Sequence, residues 1–76
     1  MKQQLVFKKT QVTLQQQKTL KNVLEEAMIV QGLDLELFDT VAKHVIFNVE
    51  GFLQRSLDTV IKVGQTVKLI PAVKAG

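Results

Sequence analysis

Apolar and polar positions change their spacing several times along this chain. Residues 5 to 14, Leu5-Val6-Phe7-Lys8-Lys9-Thr10-Gln11-Val12-Thr13-Leu14, are rich in β-branched and apolar types. They predict a strand region, with a kink or bulge near Lys8-Lys9-Thr10 where the apolar parity switches. Thr13 followed by Gln16 matches a capping box. From there Leu20, Val23, Leu24, Ala27 and Met28 recur at helical spacing. A helix over 14–31 follows, with Gly32 at the position beyond its end that favours a left-handed conformation.

The next segment reads as a second helix. Asp34 is placed to cap it, and Phe38, Val41, Ala42, Val45, Val49, Phe52, Leu53, Leu57, Val60 and Ile61 continue an apolar stripe. A helix over 35–63 would run about 40 Å at 1.5 Å per residue. Two features oppose it. Gly51 would cost about 1 kcal/mol in a helix interior, and His44 to Val49 also alternates as a strand does. The stripe keeps its phase across Gly51, which favours helix. Residues 65–70 read as a short strand before Pro71. A rival reading pairs Val60–Val63 with Thr66–Leu69 as a hairpin around Gly64-Gln65.

The fold class expected is therefore helix-dominated α+β: an N-terminal strand, a helical hairpin with a long second helix, and a short C-terminal strand. At 76 residues the chain forms one small domain, 1–76. Leu37, Ile46, Phe47 and Val63 lie beside the second helix's main stripe. Ile29 and Val30 lie beside the first. One antiparallel helix cannot cover so wide an apolar surface, and such surplus marks an interface. The expectation is a homo-oligomer, most simply a twofold dimer, with Phe38, Val45, Phe47, Val49 and Phe52 at the interface.

Charge sharpens the picture. The net value is only +3. Yet residues 1–21 carry five lysines and no acid, residues 22–58 carry seven acids against Lys43 and Arg55, and residues 59–76 carry three lysines. Terminal strands lying together would gather cations at one end, and Lys8, Lys9, Lys62 and Lys68 are the expected contact surface. Docking on the acidic bodies of neighbouring copies, giving register to an assembly, is one use for it. A phosphate-led contact with nucleic acid is another. A single Arg and no Tyr or Trp supply little for base reading or stacking. Lysines that merely guard strand edges are the plain alternative.

Catalytic chemistry has little to work with. There is no cysteine and a single histidine, His44, so a zinc site is not expected. Asp34, Glu36 and Asp39 fit neither a calcium loop nor a glycosidase pair. Gly32, Gly51 and Gly64 are too far apart to cradle a phosphate. No apolar run approaches the roughly 18 residues of a membrane span, and the first residues lack a signal-peptide pattern. The reading is a non-catalytic protein of the cytoplasm, soluble, without cofactor or metal. It would self-associate through an apolar helical surface and bind an unknown protein partner. A small DNA-associated regulator is the alternative.

Overall fold

The computed structural model describes residues 7–72. Among them the chain runs β1 (Thr10–Thr13), β2 (Lys18–Thr19), α1 (Leu20–Val30), a 3-10 turn (Leu35–Leu37), α2 (Phe38–Ala42), β3 (Val45–Val49), β4 (Phe52–Gln54), β5 (Val60–Ile61) and β6 (Thr66–Pro71). Four strands form an antiparallel sheet in the order β1-β6-β3-β4, and β2 pairs with β5 in a separate ribbon. The fold is α+β, but strand exceeds helix among the described residues, 33% against 29%. The expected helix dominance, helical hairpin and long second helix are not present.

The reason lies at residues 49–52. Val49-Glu50-Gly51-Phe52 makes a two-residue hairpin turn with positive φ at both central residues, 52° at Glu50 and 90° at Gly51. That is the type I′ geometry, whose twist matches paired strands. Local bonds hold it. The Asn48 side-chain oxygen accepts from the Gly51 N–H at 2.9 Å. Glu50 binds Thr66 twice, its N–H donating to the Thr66 carbonyl at 3.1 Å and its carboxylate accepting from the Thr66 N–H at 2.6 Å. Helix stops early, at Ala42, and the stretch predicted as helix 35–63 becomes turn, short helix and three strands.

The first helix starts later than predicted. Thr13 ends β1, its hydroxyl 3.0 Å from that of Thr66. Thr19 caps the helix instead, accepting from the Asn22 N–H at 3.3 Å. The Leu20 and Lys21 N–H groups donate to the Thr59 and Leu57 carbonyls, so a loop meets the helix's unpaired donors. At the other end Gly32 has φ 77°. Leu33 N–H reaches the Met28 carbonyl and Gly32 N–H the Ile29 carbonyl, a Schellman closure. Asp34 caps only the 3-10 turn, accepting from the Glu36 N–H. β6 covers the segment read as strand 65–70. Of the strand region 5–14, residues 10–13 form β1, and Leu5 and Val6 lie outside the described residues. The rival hairpin around Gly64 does not form, since β5 pairs with β2.

One face of the sheet packs on α1. Val45, Phe47 and Val49 of β3 and Val67 and Leu69 of β6 meet Leu20, Val23, Leu24, Ala27 and Met28 of the helix. Phe7, Leu14, Val41 and Ile61 close the core, which holds no buried polar or charged residue among those described.

Candidate interaction surface

Strand alternation sends every second side chain to the face opposite α1. On that outer face Ile46 pairs with Ile70, and a second row runs Gln11, Lys68, Asn48, Leu53 across the four strands. Ile46 is 40% exposed and Leu53 64%. With Ile70 they form an apolar patch on the β3–β4 side of the outer face, with the Lys68 cation beside it. Phe52, 71% exposed at the β4 edge, pairs with inward-facing Val49 and so lies on the opposite, α1-side face.

The five residues expected at an interface part company here. Val45, Phe47 and Val49 are buried in the chain's own core, and Phe38 on α2 is half-buried against it. Phe52 alone stands open. Of the surplus apolar residues inferred beside the helical stripes only Phe47 is buried, while Ile29, Val30, Leu37, Ile46 and Val63 stay exposed; Phe47 turns inward and Ile46 outward on the same strand. Leu53, a member of the helical stripe but not of the expected interface, belongs to the outer patch, as does Ile70, which helical spacing does not single out.

The four lysines are not brought together. Lys68 projects from the outer face beside Gln11, and Lys9 lies two residues along the chain from Gln11. Lys8 stands at the same end of β1, where its backbone is bound by Gln31: the Lys8 N–H donates to the Gln31 side-chain oxygen at 2.8 Å and the Gln31 amide donates to the Lys8 carbonyl at 3.0 Å. Lys62 belongs to the turn that meets the other end of β1, where the Gly64 N–H donates to the Leu14 carbonyl. Six residues of extended chain, roughly 20 Å, separate those ends. A continuous basic groove does not result.

A second feature is a cleft of about 510 Å³ between β1 and α1, with Val12, Val23, Ala27 and Val30 on its walls. Its two charges, Lys18 and Glu26, are joined by an ion pair at 2.6 Å. His44 stands apart from both features, its exposed ring donating from Nδ1 to the Thr40 carbonyl at 2.9 Å. The Ser56 hydroxyl accepts from the Asp58 N–H. Among the described residues no cluster of His, Asp and Glu is arranged to hold a metal. No helix of the described residues is long and apolar enough to cross a membrane. No protein-family model, curated protein or solved structure matches the chain.

Proposed function

We propose that this chain is a non-catalytic, self-associating interaction protein of the cytoplasm that takes a protein partner on the outer face of its sheet. The observation that carries this reading is the one-sided sheet. α1 covers one face, while the other leaves Ile46 and Leu53 exposed beside Lys68. An apolar patch rimmed by a cation suits a partner surface with apolar centre and acidic margin. The surface is a sheet, not the helical face that sequence spacing suggested. The phosphate-contact alternative has less support, because Lys62 is remote from Lys8, Lys9 and Lys68.

The test places a photo-crosslinking amino acid at Leu53, and as a control at exposed Gln17, in cells making the protein. Discrete adducts from position 53 alone support the reading, and mass spectrometry names the partner. Equal adducts from both positions, or none, refute it. Binding of a DNA duplex at low salt that disappears at high salt would replace it with the phosphate-led alternative.

A further inference from the structure

The cleft between β1 and α1 has one wall made of an open strand edge. β1 is the end strand of the sheet. Its bonding pattern follows from β6. Glu50 N–H donates to the Thr66 carbonyl and Ala72 N–H to the His44 carbonyl. Thr66, Lys68, Ile70 and Ala72 therefore turn their backbone groups toward β3, and Val67 and Leu69 turn theirs toward β1. The partners of those two are Val12 and Thr10. Gln11 and Thr13 consequently point their N–H and C=O away from the sheet, and neither has a backbone partner among the described residues.

We infer that this edge receives β1 of a second copy, the two strands running antiparallel about a twofold axis at Val12. This rests on the self-association in the reading above. The spacing of the open groups favours it. Centring the axis on Val12 sets Gln11 opposite the partner's Thr13 and Thr13 opposite the partner's Gln11. Each pair exchanges two backbone bonds, so all four groups of each open edge are satisfied within the regular strand. The two Val12 side chains meet on the axis, on the helix side. Moving the axis to Gln11 or Thr13 takes half of these bonds beyond the strand, to residue 9 or residue 15.

Charge favours a like copy as well. The cleft lining carries one cation and one anion, paired with each other, on a chain of net charge +3. Two such faces meet without net repulsion. Continuing the register sets Lys9 opposite the partner's Gln15, so no lysines are opposed. Val30, 85% exposed on the cleft rim, gains apolar neighbours, because the axis sets the Val30 end of one α1 against the Val23 end of the other.

Sedimentation velocity and amide hydrogen exchange across micromolar to millimolar concentration test this on the full chain. The expected result is a concentration-dependent species of twice the 8.5 kDa chain mass. Exchange at the Gln11 and Thr13 amides should slow by roughly tenfold or more as it forms. Gln11→Pro removes an N–H that bonds nothing in the chain's own sheet, and should give a folded monomer by circular dichroism. A monomer at every concentration overturns the inference. So does a dimer whose Gln11 and Thr13 amides exchange at unslowed rates, or one that survives Gln11→Pro. Should Gln11→Pro unfold, the exchange data on the unaltered chain decide. A dimer by this edge without adducts from position 53 would sink the outer-face reading alone, and a monomer with such adducts would sink this inference and the self-association it rests on while leaving the outer-face partner in place.

Discussion

Gly51→Ala separates the hairpin from the helix by the sign of its effect. In a helix interior, alanine for glycine stabilises by about 1 kcal/mol. In this structure Gly51 sits at φ 90°, and a Cβ built there would meet nothing within 4 Å. The cost is therefore backbone conformation alone, about 1–2 kcal/mol for an L-residue in the left-handed region. Stiffening of the unfolded chain gives back about 0.4–1 kcal/mol. The net expectation is a loss of about 1 kcal/mol, or a Tm lower by about 4–8 °C in a chain of this size. Thermal melts followed by circular dichroism supply the number. A Tm that rises on substitution would refute both the turn assignment and the strand reading of residues 45–54.

Other substitutions probe separate parts of the fold. Leu69→Ala empties a fully buried site and should cost about 2–5 kcal/mol in denaturant unfolding; a loss below about 1 kcal/mol would remove β6 from the core. Thr19→Ala should cost about 1 kcal/mol and speed exchange at the Asn22 amide, while Thr13→Ala leaves the Asn22 amide unchanged; an Asn22 amide indifferent to Thr19→Ala together with a Gln16 amide that exchanges faster in Thr13→Ala would restore the capping box at Thr13. Gln31→Ala deletes three bonds that tie the end of α1 to Lys8 and Thr10. It should cost about 1 kcal/mol and speed exchange at the Lys8 amide, and no change in either would show that Gln31 does not anchor this segment.

What the sequence made legible was mostly local. The stripe Leu20, Val23, Leu24, Ala27, Met28 is buried in full, and Gly32 takes the left-handed position past the helix end. The misreading of 35–63 has a geometric source. Val41, Val45 and Val49 are spaced by four, which keeps residues on one face of a helix and equally on one face of a strand. Phe47, two positions from Val45 and Val49, is the residue that distinguishes the periods: it falls beside a helical stripe but shares their face in a strand. The positive φ required of Glu50 was masked because glutamate is not a customary residue for that turn. Pairing of β1 with β6, with Thr13 and Thr66 in contact across 53 positions, left no local trace. The same error moved the candidate site: Val45, Phe47 and Val49 belong to the core, whereas the outer placement of Leu53 and Ile70 follows only from the sheet's alternation.

The place of β6 between β1 and β3 governs when this protein can exist at all. During synthesis β1, α1 and the β3–β4 hairpin emerge before residues 66–71, and β1 and β3 have no direct pairing with each other. Until the joining strand arrives, Val45, Phe47 and Val49 have only the short β4 beside them, and an isolated hairpin is at best marginally stable. Closure over so long a stretch of chain is slow by nature, and the waiting apolar strands are the kind of surface that aggregates or recruits chaperones. A message broken anywhere before codon 66 therefore yields no smaller version of the fold, only a chain fit for disposal.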